Sequence, residues 1–347
     1  IGKYYLSYGG VAENQLFDVT DPDQYLANLK HTTLNDDSIN MQKISVGMQW
    51  NMFEMAGGTV STYFGAETFD VNYRADVDAQ SEAGLVGGSA GNSAQGSRSV
   101  NAVMAEAILP VTDYLEVDLA VRYDNYDDFG SEVSPRVGAT FTMIDNLVVK
   151  ASYGQGFRAP DLSDLYGATS FSAENATDYY GCSLDGVAEA DCPDRQFDTY
   201  IGSNPDLNAE TSETMSFGLE YTYDNNWVAK VNYVTLELQS AVEYVSAQDM
   251  LNVDRNTGGN NPQVDRNSLG AVTEIRAGYQ NAVNDVQRQS VDLALDGTIL
   301  ESDDYGTFGF RGEATKYLKF ETETEFGSGI LGDAVDTLGF PEWRSSA

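Results

Sequence analysis

Histidine, cysteine and cationic residues are scarce in this chain of 347 residues. It has one histidine, two cysteines and 19 Lys plus Arg against 54 Asp plus Glu, for a formal net charge of −35. Phosphate contacts need clustered cations, so the composition excludes a nucleic-acid partner. The single histidine, His31, removes most zinc sites and the usual Ser-His or Cys-His nucleophiles. We therefore expect no enzyme activity, no metal site and no cofactor.

Long apolar runs are also missing. No stretch approaches the roughly 18 apolar residues of a membrane-spanning helix. With 41% hydrophobic and 11% aromatic residues, the chain is nevertheless too apolar to be a disordered acidic segment. A soluble fold or a membrane β-barrel remains, since alternating barrel strands are inconspicuous in hydropathy averages. The chain begins without Met or a signal peptide and stops near the start of another strand, so we expect a fragment of a longer protein.

The two cysteines are the next feature. Cys182 and Cys192 lie ten positions apart in a polar segment that contains Gly and Asp. This spacing suits a disulfide that closes a surface loop in an oxidising compartment. A metal site would need more ligands than the neighbourhood offers.

Period-two alternation of apolar and polar residues dominates the chain. In 115–123 every odd position is apolar and most even ones are charged, and 213–223 and 306–320 repeat the pattern. One face of such a strand requires lipid or a core, and the other requires water. Weaker alternation marks 42–50, 58–73, 100–110, 134–143, 147–154, 227–240 and 286–300.

The links between these strands alternate between short and long. Short links fall at 51–57, 111–114, 144–146, 224–226 and 302–305; long ones fall at 9–40, 74–98, 124–133, 155–212, 241–285 and 321–341. Outer-membrane barrels have short turns at one end and long loops at the other. The pattern predicts an all-β fold, an antiparallel transmembrane β-barrel, with about twelve strands counted from 1–8 to Trp343.

Several segments resemble a known family. Residues 154–166 read GQGFRAPDLSDLY, which is similar to the G-x-x-F-R-A-P-x-L-x-E-L-Y signature of TonB-dependent outer-membrane receptors, with Asp164 in place of Glu. Residues 204–213 read NPDLNAETSE and resemble the family's N-P-x-L-x-P-E-x-S segment, with Ala209 in place of Pro. Residues 122–136 and 341–344 resemble further family segments.

The resemblance implies a barrel of 22 strands whose lumen is closed by an N-terminal plug, of which this chain is the middle and later barrel. It implies an outer-membrane protein of a Gram-negative bacterium with extracellular long loops, in contact with lipid and lipopolysaccharide. An inner-membrane TonB complex would pull on the plug. Family members import scarce solutes: iron–siderophore complexes, cobalamin, haem or oligosaccharides. The residues alone do not choose among these.

Candidate site residues fall into two groups. The motif residues are expected to shape the strand exits rather than contact a ligand: Phe157, Arg158, Ala159, Pro160, Asn204, Pro205, Leu207 and Glu210. Aromatic residues of the longest loop either stack on a ligand or pack the loop: Phe171, Tyr179, Tyr180, Phe197 and Tyr200. The acidic run 124–128 lacks the spacing of a calcium loop and is expected to be solvated.

Two functions stay open at this stage. The first is a receptor for energised uptake, and the second is a passive porin, an adhesin or a barrel enzyme without energised transport. A soluble β-sandwich or β-helix binding module ranks third, because it would have long links at both ends of its strands.

Overall fold

A computed structural model describes residues 32–83, 85–86, 91–224, 226–282, 285–328 and 330–346. The predicted strand 1–8, His31 and most of the predicted loop 9–40 lie outside these residues. The described chain forms two sheets, of which the larger is a curved wall and the smaller lies in the long links.

The larger sheet, here called the barrel wall, is antiparallel throughout. Its long strands are β1 (Asn35–Met55), β2 (Gly58–Val77), β3 (Ala94–Thr112), β4 (Leu115–Tyr126), β5 (Gly130–Ile144), β6 (Leu147–Arg158), β9 (Glu210–Tyr223), β10 (Trp227–Gln239), β14 (Val286–Ser302) and β15 (Gly306–Glu323). The short strands β16 (Leu331–Asp333) and β17 (Trp343–Ser346) both pair with β15. The sheet does not close within the described residues. The predicted all-β antiparallel barrel fragment is confirmed.

Alternation along each strand separates two faces of the wall. In β4, Leu119, Val121 and Tyr123 are each more than 40% exposed on one face, as the apolar pattern requires of side chains that meet lipid. Directly paired residues share a face, and Leu119 lies opposite Ala107 and Val137 in the neighbouring strands. The charged residues of β4 lie on the other face, which the barrel geometry makes the lumen.

One predicted long link is shorter than expected. Residues 124–133 were predicted as a loop, whereas β4 continues to Tyr126 and β5 begins at Gly130. Asp124 pairs with Glu132 and Tyr126 with Gly130, so the ladder extends into the polar segment. Polar residues can continue an antiparallel ladder because its hydrogen bonds are made by the backbone.

Two of the long links fold together into a unit that we call the loop domain, residues 159–209 and 240–282. Its sheet contains β7 (Ser170–Thr177), β8 (Asp194–Gly202), β11 (Val242–Val245), β12 (Val264–Arg266) and β13 (Val272–Asn281). β8 comes from the first link and β13 from the second, and the two pair in parallel. Parallel pairing was not predicted, because it joins segments that are far apart in sequence.

Short helices complete the loop domain and one further link. They are α1 (Ala79–Glu82), α2 (Leu162–Tyr166), α3 (Tyr179–Leu184), a 3-10 helix (Glu189–Asp191) and α4 (Ala247–Asn256). A capping box of Ser246 and Asp249 begins α4, whose Met250 and Leu251 pack with Ile275 and Val245 in a buried core. None of the described helices has both the length and the apolar character to cross a membrane.

Candidate functional site

The lumen face of the wall carries paired charges. Arg122 donates to Asp124 at 2.8 Å and to Glu67 at 3.0 Å, and Glu67 also accepts from Lys43. Elsewhere Glu220 lies between Lys150 and Lys230. Such pairs keep a face polar and wetted. The described residues contain no group of three or more His, Cys, Asp or Glu that could hold a metal ion.

The segment Phe157–Pro160, which reads FRAP, lies at the end of β6 beside a buried ion pair. Pro160 is fully buried, and its carbonyl accepts from Arg98 Nη2 at 2.9 Å. Arg98 Nε donates to Asp128 at 2.7 Å, and its guanidinium lies over the Tyr126 ring. Phe157 meets Tyr126 edge to face. These contacts fix the exit of the chain from β6 against residues of β3 and β4.

The second motif segment connects the two long links at their base. Glu210, almost fully buried at the start of β9, accepts from Arg158 at the end of β6 and from the Val242 N–H at the start of β11. Asn204 donates from its side-chain amide to the Tyr279 carbonyl at 3.1 Å. Leu207 is buried between these contacts, whereas Pro205 is exposed. The motif residues thus hold the base of both loops.

Asp164 occupies the motif position where the family has Glu. It lies buried on α2, and its backbone carbonyl accepts from the Asn204 N–H at 2.7 Å. Burial, and next the charge of Asp161, raise the pKa of the Asp164 carboxyl above its usual value.

A buried ion-pair network joins the two halves of the loop domain. Arg266 of β12 donates to Asp178, which caps α3, and to Asp254 of α4, at distances of 2.6 to 2.8 Å. Its guanidinium lies 4.9 Å from the centroid of the Tyr180 ring. Burial acts to raise the pKa of Asp178, but the bonds from Arg266 and the Gly181 N–H outweigh it and lower that pKa.

The Cys182–Cys192 disulfide lies beside this network. It links α3 to the residue that follows the 3-10 helix, with 5.9 Å between the Cα atoms. Arg255 of α4 pairs with Glu189 at 2.9 Å and lies over the Tyr179 ring. Arg255 therefore connects α4 to the crosslinked segment through Glu189 and to the start of α3 through Tyr179.

The structure separates the five candidate aromatic residues. Phe197 packs against the core of the loop domain, and Tyr179 and Tyr180 are each covered by an arginine. Phe171 and Tyr200 lie directly opposite each other on the face away from that core, with ring centroids 5.6 Å apart. Of the five, Tyr200 alone is exposed, at 38%, and Phe171 is partly buried beside it.

Tyr200 lines a cleft of about 690 Å³ along the parallel strands β8 and β13, which we call the tyrosine cleft. Arg276 pairs with Tyr200 across the strands, and Tyr279 stacks edge to face on Tyr244 nearby. Arg276 is itself neutralised by Asp265 and Glu274, each at 2.8 Å. The cleft therefore offers aromatic faces and hydrogen-bonding groups without net positive charge.

Sequence reasoning missed Arg98, Asp254, Arg266, Arg276 and Tyr279. Each is a polar or aromatic residue in a link whose pattern has no periodicity, and its partners lie up to 88 positions away. The capping-box spacing from Ser246 to Asp249 is the one local signal that predicts the start of α4.

Comparison with known proteins gives the following likenesses. Residues 2–347 match the family described as TonB dependent receptor-like, beta-barrel. Ferric enterobactin receptor PirA of Pseudomonas aeruginosa is 30% identical over 152 residues, which are 41% of this chain and 18% of that protein. A second ferric enterobactin receptor of the same organism is 22% identical over 253 residues, 70% of this chain and 29% of that protein. The chain thus spans less than a third of either relative.

Solved structures share the fold. The siderophore receptor PirA from Acinetobacter baumannii superposes with a TM-score of 0.59 at 17% identity, over 88% of this chain and 39% of that chain. The RagAB peptide transporter superposes with a TM-score of 0.51 at 16% identity, over 89% of this chain and 34% of that one. A siderophore receptor and a peptide transporter share this fold, so the fold by itself does not identify a solute.

Proposed function

Because the chain belongs to the family of TonB-dependent receptor β-barrels, as its motifs predict, we propose that it is part of an outer-membrane receptor for energised uptake of a scarce solute. The plug and the TonB complex would act on it from parts outside this chain. The long-link end, which carries the loop domain, would face the exterior.

One observation carries the proposal. The two longest links form a packed domain at one end of the wall, with a buried core and a cleft lined by Tyr200 and Tyr279. A passive pore needs no such domain across its mouth, whereas a receptor needs a preorganised surface for a dilute solute. The cleft volume falls within the range of about 300 to 1,000 Å³ that is typical of small-molecule sites.

We infer an iron–siderophore complex as the solute class. The matched relatives are named as ferric enterobactin receptors, and one neighbouring structure holds enterobactin. Cobalamin, haem and oligosaccharides are the alternatives. We also propose that the FRAP and NPDL residues hold the bases of the loops, since the Pro160 carbonyl and the Asn204 and Glu210 side chains bind neighbouring residues. Asn204 and Asp206 also line the tyrosine cleft.

Solute capture by the full-length receptor in detergent tests the proposal. Each candidate solute is titrated into the protein, and binding is followed by the change in protein fluorescence. The solutes are a ferric catecholate chelate, a ferric hydroxamate chelate, cyanocobalamin, haem and a maltooligosaccharide. We expect one ferric chelate to bind, and Tyr200→Ala with Tyr279→Ala to weaken it about tenfold. Tyr305→Ala, an exposed tyrosine in a short turn at the other end of the wall, is the matched control.

Three results would each contradict a part of the proposal. Binding of none of the ferric chelates by the wild-type receptor would remove the siderophore assignment. Uptake into cells that is unchanged when the TonB complex is deleted would favour a passive porin, the second candidate function. Wild-type affinity in the double tyrosine variant would place the binding site elsewhere.

A further inference from the structure

A second cleft lies on the lumen face of the wall, and its charge differs from that of the whole chain. It has a volume of about 190 Å³ and is lined by Arg288, Tyr317, Phe320, Phe340, Pro341 and Arg344, with Val335 and Gly339. We call it the arginine cleft. Its only charged lining residues are the two arginines, in a chain of net charge −35.

These two arginines are unusual among the cations of the chain. Within the described residues, every other lysine and arginine except Arg195 has a carboxylate within 4.0 Å. Acids outnumber bases almost three to one, so a cation without an acidic partner is the exception here. Two such cations lining one cleft create a local site for an anion.

The strand register places both arginines on the lumen face. Arg288 alternates along β14 with Ser290 and Asp292, while the apolar Val291 and Leu293 face the other way. Arg344 of β17 pairs with Thr315, which in turn pairs with Asp292. The anion would therefore come from the lumen or its mouth rather than from lipid.

Aromatic groups shape the rest of the arginine cleft. The Arg288 guanidinium lies 4.8 Å from the centroid of the Tyr317 ring, and Phe320 stacks on Phe340 with centroids 4.7 Å apart and planes 22° apart. The Phe340 N–H donates to the Thr337 carbonyl at 3.0 Å, which holds that ring in a closed turn. Flat apolar walls and two guanidinium groups are complementary to a flat aromatic anion.

We propose that the arginine cleft binds a single planar aryl anion, such as one catecholate arm of the transported solute. The proposal rests on the proposed receptor function and adds a subsite to the tyrosine cleft. A volume of about 190 Å³ is below that of a whole-ligand pocket, so the cleft takes one ring and its anionic group. The tyrosine cleft, where acids neutralise Arg276, does not supply this positive charge.

The test uses 2,3-dihydroxybenzoate, a single aryl anion, with the full-length receptor in detergent. Calorimetry or ligand-observed NMR compares the wild type with the Arg288→Gln, Arg344→Gln double variant. We expect the variant to lose about tenfold or more in affinity, because both cationic hydrogen-bond donors of the cleft are lost. Arg195→Gln is the matched control, since Arg195 is exposed and also lacks a carboxylate partner, and it should bind as the wild type does.

Ferric chelates of opposite charge separate this inference from the function itself. The double variant should bind a trianionic ferric tricatecholate more weakly than the wild type does. Its affinity for the cationic chelate ferrioxamine B should be unchanged. Unchanged 2,3-dihydroxybenzoate affinity in the double variant overturns the subsite, even where the receptor captures ferric chelates. A variant that keeps that affinity but loses heat resistance also overturns it, and assigns the arginines to docking of another part of the receptor. If the wild type binds no ferric chelate but still binds 2,3-dihydroxybenzoate through the arginines, the siderophore function is refuted and the subsite stands.

Discussion

Replacing Arg266 with methionine should release the loop domain while leaving the barrel wall folded. Arg266 makes hydrogen bonds to Asp178 and Asp254, and also to the Gly270 carbonyl at 2.8 Å. The Arg266 side chain is 10% exposed, and those of Asp178 and Asp254 are 14% and 0% exposed. Arg266→Met therefore leaves two buried carboxylates that face each other without a cation.

The expected cost follows from burial. Removing one member of a buried ion pair typically costs about 3 to 5 kcal/mol, because the remaining charge is desolvated and unpaired. If the whole cost appears in the opening equilibrium of the loop domain, amide exchange there becomes roughly 10²- to 10⁴-fold faster. Adding Asp178→Asn and Asp254→Asn should recover part of the loss, because the two amides carry no charge.

Hydrogen exchange read by mass spectrometry on the full-length receptor measures this effect. Peptides from α4 and β7 should lose protection, and peptides from β4 and β9 provide the internal reference. Arg276→Met is the matched control in the same link, because its side chain is 40% exposed and such pairs contribute about 1 kcal/mol or less. Equal protection of α4 in the Arg266→Met and Arg276→Met variants would refute the reasoning.

Three further predictions concern the membrane face, the disulfide and pH. Leu119→Arg should destabilise the inserted barrel by about 2 to 4 kcal/mol and Asp118→Arg much less, as measured by urea unfolding in lipid vesicles; equal penalties would reverse the assigned faces. Cys182→Ser should weaken solute capture more than heat resistance, since a short crosslink contributes about 2 to 3 kcal/mol. Folding lowers the pKa of Asp178, so its carboxylate stabilises the loop domain fully above the unfolded pKa of about 3.9. This stabilisation is lost as the pH falls below that value. Pepsin should therefore cut the loop domain only under strongly acidic conditions.

The wall could be predicted from sequence because its information is local. Strict alternation in 115–123 and 213–223 determines which side chains share a face, and short turns determine which strands pair. Eleven of the twelve predicted strands lie in the barrel wall, and the twelfth, 1–8, lies outside the described residues. The predicted loop 124–133 failed at its ends, because backbone pairing continues through polar residues.

The candidate site depended on contacts that no local pattern contains. The parallel pair of β8 and β13 joins two links separated by β9 and β10, and the Asp178–Arg266 pair spans 88 positions. The sequence by itself determined the alternating strands, the membrane-facing surface and the motif segments at the loop bases. Only the tertiary structure decided that Phe197 is packed inside, that Tyr200 lines a cleft, and that Arg288 and Arg344 share another. The physical reason is that burial and charge pairing are properties of neighbours in space, which chain closure over long loops brings together.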